Sequence, residues 1–223
     1  MIPSLAQMVQ TTLEAQANPE SAVAMSAYMR NQFPYLGIDS PTRRALVLGV
    51  LREEGGKKLL LDLDIVRSLA ALPEREYFYA GLDYLDYLSK SLTPQDFPAL
   101  AKITTTKPWW DSIDYLRKMV SATVKAYPQE GRAVMNQWLD SDNFWLRRIP
   151  LNHMLGWKGD TDREWLARAI LSCAHEKEFF IAKAIGWSLR EYAKTDPDWV
   201  REFVEDNRGR LQPLSVREGL KHL

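Results

Sequence analysis

Cysteine is almost absent from this chain of 223 residues, which has a single one, Cys173. One thiol forms no disulfide within the chain, and it cannot build a zinc cluster on thiolate ligands. The three histidines, His153, His175 and His222, are far apart, and their spacing is not that of a metal-binding pair. The sequence therefore predicts no bound metal, and it favours Cys173 as a small core residue over a catalytic nucleophile.

Long apolar runs are also missing, because no stretch of about 18 apolar residues occurs that could span a bilayer. Residues 1–4 have neither the basic region nor the apolar region of a secretory signal peptide. We therefore expect a protein of the cytoplasm that does not bind a membrane.

Nucleotide-binding glycine motifs are missing as well. The chain contains neither Gly-x-Gly-x-x-Gly nor the Gly-Lys-Ser/Thr of a phosphate loop, so it is expected to hold no cofactor of this kind. The 29 basic and 29 acidic residues give a net charge of zero, which argues against a general binder of polyanions. A local basic face is compatible with this balance, because phosphate contacts need only a few well-placed Lys or Arg side chains.

Helical patterns run through almost the whole chain, whereas strand patterns are scarce. Apolar residues recur at intervals of three and four residues, and Asp196-Pro197 is a typical helix start. Ser40 is expected to cap a helix whose first residue is Pro41. With 46% hydrophobic residues, 26% charged residues and no linker, we interpret residues 1–223 as a single all-α domain of about a dozen helices.

Aromatic pairs recur along the chain at a fixed interval. Residues 109–110, 144–145 and 179–180 are aromatic pairs spaced by 35 residues, and residues 77–78 are an earlier copy. Each pair opens a long predicted helix, and the one from residue 145 is expected to reach Gly156 with a kink at Pro150. Helix pairs that repeat in this way are typical of an α-solenoid with HEAT-like repeats. We therefore predict a curved domain with a concave face, in which one member of each aromatic pair packs between repeats.

Equivalent positions of the repeats carry indole, carboxylate and guanidinium groups. Trp110 and Asp114 are four residues apart, so they share one helical face. Arg148 lies one repeat later, and Trp187 follows Gly186 two repeats later. Equivalent helices of a solenoid line the same surface, so these groups can converge on the concave face. Two aromatic faces, a carboxylate and a guanidinium fit a flat cation beside a phosphate, but core tryptophans with a surface ion pair explain the same residues equally well.

Five segments carry a resemblance to a known family. They are MSAYMR (25–30), LGIDSPTRR (36–44), WWDSID (109–114), SDNFWLRR (141–148) and KEFFIAKAIGWSLREYAKT (177–195). On these motifs the sequence resembles, over nearly its whole length, the AlkD-type alkylpurine DNA glycosylases with HEAT-like repeats. The resemblance implies an enzyme of base excision repair that hydrolyses the N-glycosidic bond of N3- and N7-alkylated purines such as 3-methyladenine and 7-methylguanine. It implies no metal, no cofactor and no pocket for a flipped base.

The resemblance also implies roles for individual residues. Asp114 matches the catalytic acidic residue, and Trp110 and Trp187 match two tryptophans that cradle the deoxyribose. Arg148 matches an arginine that contacts phosphate, and Tyr28 matches an aromatic residue near the DNA backbone. Ser40, Pro41 and Arg43 match a helix start that approaches phosphates. Charge placement, apart from the resemblance, allows one basic lane along the DNA backbone, formed by Arg43, Arg44, Arg147, Arg148, Lys183 and Arg190, although basic side chains on outer helix faces are more often solvated surface.

The expected partner is double-stranded DNA that contains alkylated purines, bound by a monomer at the nucleoid. A second hypothesis stays open, in which the chain is a non-catalytic HEAT-like scaffold that binds DNA structure or a protein partner through the same concave surface. Asp114 discriminates between the two, because a carboxylate that faces phosphates weakens a groove whose only task is to bind DNA.

Overall fold

The computed structural model describes residues 3–223, so residues 1 and 2 of the segment considered for a signal peptide lie outside it. The described residues form thirteen α-helices and four short 3-10 helices, and no strand occurs among them. The α-helices are α1 (Leu5–Glu14), α2 (Pro19–Tyr28), α3 (Ser40–Glu53), α4 (Leu63–Ala70), α5 (Arg75–Tyr87), α6 (Phe97–Thr105), α7 (Trp110–Ala126), α8 (Pro128–Leu139), α9 (Phe144–Asn152), α10 (Arg163–Cys173), α11 (Phe179–Tyr192), α12 (Pro197–Asp206) and α13 (Pro213–Gly219). The predicted all-α class is confirmed. Within residues 3–223, none of the helices has both the length and the apolar character that crossing a membrane requires.

Polar caps mark the helix starts, as the sequence pattern indicates. Ser4 and Gln7 form a capping box at the start of α1. At α3 the cap lies one residue earlier than predicted, because the Asp39 carboxylate, not Ser40, accepts a hydrogen bond from the Thr42 N–H at 2.9 Å. The same carboxylate accepts from the Thr42 hydroxyl. Asp39 is therefore the N-cap, and Ser40 is the first helical residue.

The chain divides after Lys107 into two compact units. In the first unit α5 is the central helix, which packs against α3 and α4 and buries Phe78, Leu82 and Leu85. Helix α1 packs against α3 and α4, and α6 packs against α4. The interpretation of residues 1–223 as a single domain stays a prediction.

The second unit, Pro108–Leu223, has a regular order of helices. Helix α7 contacts α9, α9 contacts α11, and α11 contacts α13, so the odd-numbered helices follow one another in a row. The even-numbered helices pack beside them: α8 lies against α7 and α9, α10 against α9, and α12 against α11 and α13. This succession of helix pairs confirms the predicted repeat architecture.

The aromatic pairs form a cluster at the starts of α7, α9 and α11. The ring centroids of Trp109 and Trp145 lie 5.9 Å apart, those of Trp145 and Phe180 4.6 Å apart, and those of Trp109 and Phe180 5.5 Å apart. Rings at such distances pack favourably beyond the area they bury. One member of each of these three pairs thus packs between repeats, as predicted, and Trp110 is the other member of its pair at α7.

Helix α9 is shorter than the sequence pattern predicts, since it ends at Asn152 rather than at Gly156. Pro150 lies inside it, and proline has no N–H to donate to the carbonyl one turn earlier. The chain leaves the helix at His153, whose Nδ1 lies 2.6 Å from the Pro150 carbonyl oxygen. Arg148 is therefore held in the part of α9 that remains helical.

The contact between α11 and α13 depends on Gly186. A Cβ atom on Gly186 would lie 2.5 Å from the Glu218 Cβ and 3.1 Å from the Ser215 carbonyl oxygen. Gly186→Ala should therefore destabilise the protein by about 1 to 3 kcal/mol, as overpacking does, and a thermal melt followed by circular dichroism measures it. Gly49→Ala is the matched control, because a Cβ on Gly49 of α3 meets no atom within 4 Å. That control should be neutral or stabilising by up to about 1 kcal/mol, and equal losses in both variants would contradict the prediction.

Candidate functional site

One face of α7 carries an indole, a carboxylate and a guanidinium group. The helix begins at Trp110, two residues after Pro108, which disfavours helical backbone at the residue before it. Trp110, Asp114 and Arg117 stand at i, i+4 and i+7, so their side chains leave the helix on the same side. Trp110 and Asp114 are half-buried, and Arg117 is buried.

Asp114 is held by Arg148 of α9. Arg148 donates from Nη2 and from Nε to the Asp114 Oδ1, at 2.9 and 3.3 Å, and from Nη1 to the Phe180 carbonyl oxygen at 2.6 Å. Arg148 is only 4% exposed, whereas a quarter of the Asp114 side chain, 25%, reaches solvent. Arg148 therefore links α7, α9 and α11 by hydrogen bonds. Part of the Asp114 side chain stays exposed to solvent.

Two opposing effects act on the ionisation of the Asp114 carboxyl. Burial raises the pKa of the Asp114 carboxyl above its ordinary value, and the Arg148 and Arg117 guanidiniums act to lower it. The net shift is upward. The two arginines thus favour the ionised carboxylate in a place that would otherwise favour the neutral acid.

Trp187 of α11 lies beside Arg117. The guanidinium carbon of Arg117 is 5.9 Å from the centroid of the Trp187 ring, within the range of a cation–π contact. Trp187 is half-buried. It directly follows Gly186, the residue that packs closely against α13. The structure therefore brings Asp114 to Arg148 and Trp187 to Arg117, all on helices of the second unit.

Arg117 is a candidate site residue that the sequence analysis did not predict. Its spacing from Trp110 and Asp114 is the signal that could have found it, because i+7 and i+3 fall on the same helical face. A single arginine on a helix is so common that this spacing alone does not indicate a functional role.

The basic residues expected to contact DNA in the second unit are engaged in ion pairs. Arg147 binds the Glu176 carboxylate through Nε and Nη2, at 3.1 and 2.5 Å. Lys183 and Arg190 share the Glu218 carboxylate, at 3.0 and 2.6 Å. Their contacts with DNA stay predictions, and phosphates would have to compete with these carboxylates.

The residues expected to contact DNA in the first unit differ in exposure. Tyr28, at the end of α2, is 74% exposed, and Ser40 and Pro41 lie exposed in the first turn of α3. Arg43 is buried, donates from Nε to the Asp83 carboxylate at 2.9 Å, and lies 4.7 Å from the Tyr79 ring centroid. The DNA contacts of all four stay predictions, and the guanidinium of Arg43 already has an acidic partner.

Other reactive groups of the second unit are buried. Burial lowers the pKa of His153 to about 4, and its ring stacks edge-on against Trp157 and Trp165. Burial also raises the pKa of the Cys173 thiol to about 11, so Cys173 is a core residue as predicted. Among residues 3–223, no group of three or more His, Cys, Asp or Glu side chains is placed to hold a metal ion.

These features define a class of protein: an all-α helical-repeat protein that presents a carboxylate, a buried guanidinium and indole rings on neighbouring helices. Comparison with known proteins gives its family. Residues 9–223 match the family described as DNA alkylation repair enzyme, and the chain therefore belongs to that family. A solved structure described as a predicted DNA alkylation repair enzyme from Enterococcus faecalis is 37% identical, with a TM-score of 0.86 over 93% of this chain and 96% of that one. None of the curated proteins compared with the chain matches it.

Proposed function

We propose that this chain is a DNA N-glycosylase that excises positively charged N3- and N7-alkylated purines from double-stranded DNA. The observation that carries the proposal is the Asp114 carboxylate, which Arg148 holds on the α7 face that Trp110 shares. The family of the chain, whose members are described as DNA alkylation repair enzymes, supports the same class of substrate. The protein is proposed to act as a monomer on chromosomal DNA, with no cofactor.

The proposed chemistry depends on the charge of the substrate. N3-methyladenine and N7-methylguanine carry a formal positive charge, so the base departs without being protonated by an acid. As the glycosidic bond lengthens, positive charge develops on the deoxyribose, and a group that stabilises this charge lowers the barrier. A neutral purine is a far poorer leaving group, so selectivity for cationic lesions follows from the departing base itself.

Asp114 is proposed to stabilise the cationic sugar electrostatically. At about 4 Å and an effective dielectric constant of about 20, a carboxylate attracts a unit positive charge by about 4 kcal/mol. The Arg148 guanidinium cancels part of this attraction, so a contribution of about 1.4 to 4 kcal/mol is expected. This contribution corresponds to an acceleration of roughly 10- to 1,000-fold.

Trp110 and Trp187 are proposed to face the sugar. Each indole ring adds about 0.5 to 2 kcal/mol of cation–π attraction, which grows as the sugar becomes cationic. A water molecule on the side opposite to the departing base then attacks the anomeric carbon and loses a proton to solvent. The products are a free alkylated purine and an abasic site.

One assay tests this proposal directly. Incubation of the protein with methylated duplex DNA should release free 3-methyladenine and 7-methylguanine, which chromatography of the soluble fraction detects. The scaffold hypothesis expects binding of the DNA but no released base. Release of base by the wild type but not by a heat-denatured sample would establish the glycosylase reading.

Arg148 is proposed to position Asp114 and to keep it ionised, in addition to the predicted contact with phosphate. Arg148→Met should move the acid limb of the excision rate to higher pH, because the main effect that opposes the raised pKa of Asp114 is lost. A protonated carboxyl carries no charge, so the variant loses rate as pH falls and recovers as pH rises. The loss is roughly 10-fold for each unit by which the Asp114 pKa exceeds the assay pH.

Single-turnover rates over a pH series measure this effect. Arg201→Met is a suitable control, since Arg201 is exposed and paired with Asp198 within α12 at 2.8 Å. An acid limb that stays in place in Arg148→Met would remove the positioning role. In the same variant, a decrease of about 1 in the salt dependence of DNA binding would support the predicted phosphate contact.

A further inference from the structure

Arg117 differs from the other basic residues of the candidate site in its partners. Arg147, Arg148, Lys183 and Arg190 each bind a carboxylate. Arg117 is only 9% exposed, and its Nε is buried without a hydrogen-bond acceptor. Its guanidinium carbon lies over the face of the Trp187 ring, 5.9 Å from the ring centroid.

The acidic groups near Arg117 are already engaged. Asp114 and Glu191 are the carboxylates whose charges act on it. Asp114 accepts from Arg148, and Glu191 accepts from Lys194 at 2.5 Å. Arg117 Nε is buried without an acceptor. A ligand that accepts hydrogen bonds from this guanidinium therefore binds its two terminal nitrogens, Nη1 and Nη2.

A buried cation whose nearby carboxylates are bonded to other basic side chains is only partly compensated in the free protein. Burial lowers the pKa of the Arg117 guanidinium, which reflects the same loss of hydration. Such an arrangement fits a group whose partner arrives with the ligand, because an anion then supplies the missing charge and hydrogen bonds. The planar guanidinium, with an indole on one side, suits the bidentate recognition of phosphate oxygens.

We propose that Arg117 binds a phosphodiester of the DNA strand that carries the lesion, beside the deoxyribose placed at Asp114 and Trp187. This proposal rests on the proposed function, since it needs DNA at the candidate site. Arg117 then fixes the register of the damaged nucleotide, while Asp114 stabilises the charge that develops on its sugar. The group that Arg117 binds is an oxyanion with two free oxygens, which lies next to the face of the Trp187 ring.

Arg117→Met tests the proposal with two readouts that move in opposite directions. Affinity for a duplex with a stable abasic-site analogue, measured by fluorescence anisotropy, should fall by roughly 10-fold, and the salt slope of binding should fall by about 1. The melting temperature of the free protein should stay the same or rise, because a buried charge that is only partly compensated is replaced by an apolar chain. A structural role of Arg117 predicts a lower melting temperature instead.

A neutral methylphosphonate at one position of the lesion strand identifies the phosphate. One such substitution should weaken binding of the wild type and leave the affinity of Arg117→Met unchanged, whereas Arg201→Met should behave as the wild type does. Wild-type affinity and salt slope in Arg117→Met would overturn the proposal, and so would an equal loss in Arg201→Met. If the wild type binds DNA but releases no base, the proposed function fails, and the methylphosphonate comparison still decides the role of Arg117.

Discussion

Asp114→Asn should reduce single-turnover excision of 7-methylguanine by roughly 10- to 1,000-fold. The substitution keeps the shape of the side chain, and the amide oxygen can still accept the hydrogen bonds that Arg148 donates to Oδ1. It removes only the negative charge, which is the property that the proposed mechanism uses. The measurement is the rate of base release with enzyme in excess over methylated duplex DNA.

Binding should respond differently from chemistry in this variant. Affinity for duplex DNA should hold steady or rise, because a carboxylate that repels phosphates has been neutralised. Trp110→Ala and Trp187→Ala should slow excision by smaller factors, since each removes a polarisable face rather than a full charge. Asp142→Asn is the matched control at an exposed position, and its rate should stay within twofold of the wild type, roughly the effect of a neutral surface change.

Undiminished excision by Asp114→Asn would contradict the electrostatic mechanism even if the glycosylase activity is confirmed. Asp114 would then serve the structure only, as the partner of Arg148. A variant that neither excises nor binds DNA, with an unchanged melting temperature, would also contradict it, since the mechanism separates binding from the chemical step.

The features of the fold that depend on local sequence could be predicted. The all-α class, the helix pairs and the helical face shared by Trp110 and Asp114 follow from periodicity and spacing within single helices. The aromatic packing between repeats followed from the regular interval of the pairs. The cap of α3 shows the limit of local rules, because Asp39 and Ser40 are both good caps and the choice depends on which oxygen reaches Thr42.

The partners of the long charged side chains could not be predicted. Arg148 and Asp114 are 34 residues apart in sequence, and Arg147 and Glu176 are 29 apart. Such pairs depend on how neighbouring helices are packed, and a long side chain reaches several acids from one position. The sequence therefore suggested a basic lane, whereas the structure pairs its members with carboxylates.

The start of α3, where Ser40 and Pro41 are expected to approach DNA, depends on a buried carboxylate of α5. Glu76 is fully buried, and its two oxygens accept hydrogen bonds from three successive backbone N–H groups, those of Leu36, Gly37 and Ile38, at 2.9 to 3.1 Å. Gly37 has a φ of +87° and approaches α2 closely, so this segment adopts one conformation that glycine permits. The Glu76 carboxylate thus fixes the segment directly before the Asp39 cap.

Glu76→Ala should destabilise the protein by about 3 to 5 kcal/mol, since it leaves buried N–H donors without an acceptor, at about 1 to 3 kcal/mol each. Urea denaturation followed by circular dichroism measures the loss, and Glu74→Ala is the matched control. Glu74 precedes α5, and its side chain makes no capping hydrogen bond, so that variant should stay within about 0.5 kcal/mol of the wild type. Glu76→Gln, whose amide presents one acceptor oxygen in place of two, should fall between the two variants.

The same series connects stability with the proposed function. If Ser40 and Pro41 contact DNA, Glu76→Gln should weaken binding at temperatures well below its melting point, because the first turn of α3 loses its fixed support. Glu74→Ala should bind DNA as the wild type does. A Glu76→Gln variant that is less stable but binds DNA with unchanged affinity would remove the start of α3 from the interface, and a Glu76→Ala variant as stable as the control would show that water satisfies the three N–H groups instead.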